Sequence, residues 1–318
     1  MDKGMDKLDR KILQVLDWNG RTPVNKIAKE VKSNKDVVAY RIKKLEEKGL
    51  IVRYYPVLDM HKLGYHTSRL YFDLEEIDEV KEKEFLEFLD KEMHAGLIFR
   101  MDYPFRYGIF LWVQSIYEVQ DALVKIKRWL GKSLVRYSHS FICTFRQYPK
   151  DYMFGKEHHE TKRSLDPTER VDYDEHDFRI LKELSRDARL STVEIAKNLK
   201  IPQTTVSAKI MNLEKKKMIQ GYRAEIDFIK LGFMNYFLEI YLEDNHNLAR
   251  IETWADAHKN TVWLQKVIGT CDIEIEVEVK DRVELEQLLN ELRRKFPNIR
   301  KIIFWSQEYK KLMYLPAR

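Results

Sequence analysis

The sequence predicts an α+β protein in which one architecture occurs twice along the chain, a three-helix unit followed by a β-α-β-β-α-β unit. Three observations predict it. Asp9 to Gly64 realigns without a gap on Asp177 to Gly232 at a displacement of 168 positions, from Ile12 to Ile180. Each copy opens with short apolar stripes at helical spacing and closes on two short strand-like runs. Each then continues into segments whose apolar period alternates between strand and helix values. A long repeat governs every later assignment, and two copies at so long a period signal a duplicated domain pair, not a solenoid.

The match is dense. Ile12-Leu13 falls on Ile180-Leu181, Arg21 on Arg189, Ile27-Ala28-Lys29 on Ile195-Ala196-Lys197, Tyr54 on Tyr222, and Lys62-Leu63-Gly64 on Lys230-Leu231-Gly232. The length of 318 residues suits two to three ordinary domains, or four small ones in two pairs. An apolar content of 44% argues against wholesale disorder. The net charge of +6 is weak evidence for a polyanionic partner, so the placement of the basic residues decides the matter. Only Cys143 and Cys271 are present, which excludes a disulfide framework and zinc-site spacing and fits a reducing compartment. The charged start, Met1 to Lys7, leads into no apolar signal region, and no uncharged apolar run reaches membrane-span length. A soluble, cytoplasmic protein is expected, with no metal and no cofactor.

In the first copy, Leu8, Ile12, Leu13, Val15 and Leu16 form a helical stripe ending near Asn19-Gly20. Pro23 suits the opening of a second helix with Val24, Ile27, Ala28 and Val31 on its apolar face. Ser33 or Asn34 can cap a third helix through Val38, Ile42 and Leu45, which Gly49 ends in a left-handed cap. Ile51 to Tyr55 and Val57 to Leu58 read as two short strands turned by Pro56. Three short helices and a small hairpin make a winged helix-turn-helix.

The third helix carries the chemistry. Burying Val38, Ile42 and Leu45 leaves Asn34, Lys35, Asp36, Ala39, Tyr40, Arg41, Lys43 and Lys44 outward, with Arg53 on the following strand. Asn and Arg pair with base edges, and Lys neutralises phosphates. A charged helix face alone is more often merely solvated. Its position, after a short polar turn and before a glycine stop and hairpin, favours double-stranded DNA.

The chain then reads as strand (70–74), helix (80–93), strands (97–101 and 107–113), helix (119–130) and strand (134–145), a ferredoxin-like order. Phe110, Trp112, Phe141 and Phe145 leave the helix-free face apolar, which calls for a second sheet. A charged linker follows, in which Glu157-His158-His159-Glu160 reads as solvated, since adjacent ligands point apart. In the second copy Pro202 opens the third helix, whose outward candidates are Gln203, Thr204, Ser207, Lys209, Met211 and Asn212, with Arg223 on the strand beyond. They carry fewer charges than their counterparts, so two DNA-binding copies would read different half-sites. The resulting domains are a winged helix-turn-helix at 5–60, a βαββαβ domain at 64–148, a linker at 149–172, a second winged helix-turn-helix at 173–228 and a second βαββαβ domain at 232–312.

Each half resembles the Lrp/AsnC (feast/famine) family of prokaryotic regulators. The resemblance rests on "LDRKILQVL", "GRTPVNKIAKEV" and "VVAYRIKKLEEKGLI", and on Leu63-Gly64 and Leu231-Gly232 as the exit into a ligand-sensing, RAM-like domain. It implies sequence-specific transcriptional regulation, a small effector such as an amino acid, and assembly through the βαββαβ sheets. That assembly would be a homo-oligomer or, here, an intramolecular pseudo-dimer. The family's effector turn has a Gly-x-x-Asp pattern, which matches Gly269, Thr270, Cys271 and Asp272. The first copy departs from it at Met101 to Gly108. No cation flanks Cys271 to make it a redox sensor. Two alternatives stand beside regulation. Siroheme decarboxylases are similar in architecture, and Phe99 to Tyr107 echoes their Arg- and aromatic-rich stretch without its His. An effector-binding module without DNA contact is the other. A non-enzyme is expected, because no positioned titratable group stands out for acid–base work.

Overall fold

Local chemistry sets the helices. A computed structural model describes residues 5–244, 246–312 and 315–316. Helix α1 (Lys7–Trp18) opens with a capping box: Asp6 accepts from the Leu8 and Asp9 amides, and Asp9 accepts from the Asp6 amide. After α2 (Val24–Glu30), α3 (Lys35–Glu47) is capped by Asn34, which accepts from the Asp36 amide at 2.7 Å. Gly49 stops α3 at φ 63° and β1 (Ile51–Leu58) follows. Then come β2 (His66–Leu74), α4 (Glu79–Lys91), β3 (Leu97–Met101), β4 (Tyr107–Val113), α5 (Ile116–Leu130) and β5 (Leu134–Gln147). A 3-10 turn (Asp151–Phe154) and β6 (Arg163–Leu165) join the copies. The second copy comprises α6 (Glu175–Arg186), α7 (Thr192–Leu199), α8 (Gln203–Lys215), β7 (Ile219–Ile226), β8 (Met234–Leu242), α9 (Leu248–Ala257), β9 (Thr261–Ile268), β10 (Ile273–Val279), α10 (Arg282–Lys295), β11 (Ile299–Trp305) and β12 (Gln307–Leu312).

The chain divides into two compact units, and each draws on both copies. The first comprises Met1–Asp59, Pro149–Thr161 and Val171–Met234, and holds both three-helix modules. The second comprises Met60–Tyr148, Lys162–Arg170 and Asn235–Arg318, and holds both βαββαβ modules.

In the first unit the expected local hairpin does not form. Residues 51–58 make one strand, and β1 pairs antiparallel with β7 of the other copy, Tyr54 opposite Ala224 and Pro56 opposite Tyr222. The reason is local: no glycine or asparagine supplies a two-residue hairpin turn at Pro56. An edge position in a two-stranded sheet tolerates its missing N–H. Reciprocal contacts reinforce the pairing. The Gly20 amide donates to the Tyr222 carbonyl at 2.9 Å, and the Ala188 amide to that of Tyr54 at 3.1 Å. The Arg21 guanidinium lies over the Tyr222 ring and that of Arg189 over Tyr54. Gly20 has no alternative, because a Cβ there would sit 2.5 Å from the Arg223 carbonyl carbon. In the joint, Glu157, His158 and Glu160 are exposed, in line with a solvated linker, but other residues are not. Tyr152 and Met153 are buried, and the His159 ring packs 3.0 Å from Asp151.

In the second unit the strands run β11-β8-β10-β9-β5-β2-β4-β3-β12, with β6 on β5. The copies join through β5 on β9 and β12 on β3. Helices α4 and α5 cover Leu70, Ile98 and Ile109, while α9 and α10 cover Leu238, Ile240 and Ile275. The opposite faces bury one shared cluster: Tyr71, Phe99, Phe110 and Ile142 of the first copy with Phe237, Val267 and Trp305 of the second. Phe145 and Trp112 pack against it, but Phe141 turns to the helix side. A bulge between Ile142 and Thr144 shifts the alternation of β5 and separates the two phenylalanines.

This shared face also buries charge. The Arg69 guanidinium forms an ion pair with Glu274, each side chain 1% exposed, and donates to Ser140 and Gln265. Burial and the neighbouring Glu274 push the Glu239 carboxyl up to about 7.

Candidate nucleic-acid interface

Helices α3 and α8 are held by the same device. Val38, Ile42 and Leu45 bury one side of α3, and Val206, Ile210 and Leu213 bury the same side of α8. On each helix one cation then reaches back to the carboxylates that cap the first helix of its module. Arg41 Nη1 lies 2.7 Å from Asp6 and 3.3 Å from Asp9, and Lys209 Nζ lies 2.6 Å from Asp174 and 3.1 Å from Asp177. The Asp6 carboxyl sits below its usual range through the Asp9 amide, then the Leu8 amide and Arg41. That of Asp174 sits low through Lys209 first. The carboxylates cap one helix and fix the angle of the next.

This changes the roles of several predicted contacts. Arg41 and Lys209 are positioning residues, engaged inside the module. Asn34 spends its side-chain oxygen on the α3 cap. Arg53 is drawn into an ion pair with Glu225 at 2.6 Å. Arg223 leaves the candidate set: it is 3% exposed, donates to the Asp17 carbonyl and carboxylate, and stacks on Trp18. Sequence reasoning placed it outward because alternation assigns a face without saying what covers it.

The groups that face outward on α3 are Lys35, Asp36, Val37, Ala39, Tyr40, Lys43, Lys44, Glu46 and Glu47. Tyr40 is 59% exposed, with the Lys44 ammonium 5.6 Å from its ring centroid. On α8, Gln203, Thr204, Ala208, Met211 and Asn212 are exposed and Ser207 is half-buried. Pro202, expected to open the helix, occupies the cap position instead, and α8 starts one residue later at Gln203. Asp6, Asp9, Asp174 and Asp177 were not singled out from the sequence. Their signal was available, since all four recur at the repeat displacement.

In the second unit the expected effector groups are engaged within the fold. Asp272 accepts from the Leu242 amide at 2.7 Å, and a Cβ on Gly269 would meet the His139 carbonyl at 2.5 Å. Thr270 lies beside the Cys271 thiol, which burial pushes well above its ordinary range. Where the first copy lacks the family pattern, an open cleft of about 680 Å³ is lined by its Asp73, Arg100, Asp102, Arg106 and Arg136, among others, and by Ser306 to Glu308 of the second copy. Arg136 was missed; only the β2–β5 register, which sets it opposite Asp73, brings it there.

The winged helix-turn-helix DNA-binding family model matches residues 5–52 and 173–220. An uncharacterised HTH-type transcriptional regulator of Pyrococcus horikoshii, PH0140, is 33% identical over 132 residues, 41% of this chain and 83% of that protein. The chain belongs to the Lrp/AsnC family of transcriptional regulators. Another relative, the regulator LrpA of Bacillus subtilis, is 31% identical over 125 residues, 38% of this chain and 90% of its own. Both relatives correspond to well under half of this Lrp/AsnC chain, as a duplication requires. The structure of the siroheme decarboxylase NirDL matches in fold over the duplicated length, with 98% of this chain and 94% of that one covered, TM-score 0.64 and 15% identity. That match corrects the expectation of a non-enzyme. The paired Lrp/AsnC-like architecture is one that an enzyme also uses, so the lack of an obvious acid–base group in the sequence does not exclude catalysis.

No helix among the described residues is long and apolar enough to cross a membrane.

Proposed function

We propose that this chain is a sequence-specific DNA-binding transcriptional regulator of the Lrp/AsnC type that works in the cytoplasm. Helices α3 and α8 enter the major groove, and exposed lysines hold phosphates. One observation carries this reading: in both modules a helix with one buried stripe is locked by a cap ion pair while its opposite face stays open. Such a helix is presented at a fixed angle, as base-edge readout requires. The two βαββαβ modules act as an intramolecular pseudo-dimer, supported by their shared sheet and apolar cluster. A small effector such as an amino acid would bind in the second unit and set DNA affinity.

The test is binding to genomic fragments, including the region upstream of its own gene, across a salt series. A discrete footprint with affinity falling steeply as salt rises is expected. Equal, weak binding to every fragment at low salt would sink the reading.

A second reading, decarboxylation of a tetrapyrrole, is favoured by the cleft at the stretch that echoes siroheme decarboxylases, which holds Arg106 together with Arg100 and Arg136, the last two paired with Glu82 and Asp73. Guanidinium groups suit carboxylate side chains. Anaerobic incubation with siroheme followed by mass analysis tests it, and unchanged substrate excludes it.

A further inference from the structure

The two reading helices share a scaffold but expose different chemistry. At the repeat displacement, Lys35, Lys43 and Lys44 of α3 correspond to Gln203, Met211 and Asn212 of α8, and all six are exposed. From Gln203 to Asn212 the one cation is Lys209, and both cap carboxylates of its module hold it. The outward face of α8 over this span is therefore uncharged. It offers the Asn212 carboxamide, that of Gln203, whose Nε2 also donates to Thr192 Oγ1 at 3.1 Å, the Thr204 hydroxyl and the Met211 thioether, 62% exposed. On α3, Lys43 and Lys44 flank Glu47, at 3.9 and 3.0 Å, but all three lysines stay exposed, where they can turn to phosphates and give binding its salt dependence. Carboxamides pair with the N6 and N7 of adenine, and apolar groups touch the thymine methyl. The chemistry of α3 grips, and that of α8 reads.

A homodimeric reader presents the same helix to both half-sites, so its operator mirrors its two-fold symmetry. Here β1 and β7 bring two unlike helices together in one unit. We propose that this chain recognises a non-palindromic duplex site, with one half held through phosphates by α3 and an A·T-containing half read through base edges by α8. The proposal rests on the DNA-binding reading above.

Selection from a random duplex pool with the full-length protein tests it, followed by salt titrations on the selected site. The expected consensus lacks two-fold symmetry and carries A·T pairs in one half. Gln203→Ala with Asn212→Ala should relax preference in that half alone and leave the salt slope unchanged. Lys35→Gln, Lys43→Met and Lys44→Asn together should reduce the slope of log K against log salt by about 2 to 3 and keep the consensus. The reverse transplant, Gln203→Lys, Met211→Lys and Asn212→Lys, should steepen it by a similar amount. These positions are exposed, and a melting curve confirms that each variant folds. Recovery of an inverted repeat overturns the asymmetry and leaves DNA recognition standing. An unchanged slope in both lysine sets overturns the division of labour. No enrichment of any sequence overturns both the proposal and the reading beneath it.

Discussion

Replacing Arg69 by methionine should destabilise the second unit by about 3–5 kcal/mol at neutral pH. The magnitude follows from what is left behind. Arg69 and Glu274 are each 1% exposed, and Glu274 Oε2 has no hydrogen-bond partner even with the arginine present. Methionine keeps much of the stem volume between the Tyr71 and Phe110 rings but leaves Glu274 a buried, uncompensated carboxylate. The double variant Arg69→Met, Glu274→Gln removes both charges together and should recover most of the loss, to within about 1–2 kcal/mol of the parent. Urea unfolding followed by tryptophan fluorescence measures this, because five of the six tryptophans belong to the second unit. A single-variant loss below about 1 kcal/mol, or a double variant no better than the single, would refute the reasoning.

Two further outcomes follow from the same structure. Glu239, raised to about 7 by burial and Glu274, keeps a proton in the folded state that the unfolded chain releases near 4.5. Its contribution is full below the unfolded value and is lost as pH rises through about 7, by up to about 3 kcal/mol. Glu239→Gln should flatten that part of the stability–pH curve, and an unaltered slope would assign it to another group. Lys217 holds φ 59° where the first copy has Gly49 at 63°, so Lys217→Gly should stabilise the first unit by about 0.5–1 kcal/mol. A lowered melting temperature would show that the lysine side chain contributes more than its backbone strain costs.

The buried stripe of α3, its Asn34 cap and its glycine stop were legible because each depends on residues within one or two turns. The cap carboxylates were legible in principle but went unused, since nothing local shows that Arg41 and Lys209 would fold back on them. Glu274, Glu276 and Glu278 alternate along β10, and all three are buried. The strand pattern identifies two faces, and only a distant segment decides which is covered.

The sequence by itself determined a duplicated α+β chain, the positions of α3 and α8 and the chemical difference between their outward faces. All of these follow from periodicity, capping and the repeat, which act over short separations. Only the tertiary structure decided that the copies interlock as two mixed units instead of following one another as separate halves. It paired β1 with β7, β5 with β9 and β12 with β3. It also turned Arg223 inward and committed Arg41 and Lys209 to their caps. The physical reason is that edge strands and apolar faces state a need for a partner without naming it. Here the partner lies more than a hundred residues away in the same chain.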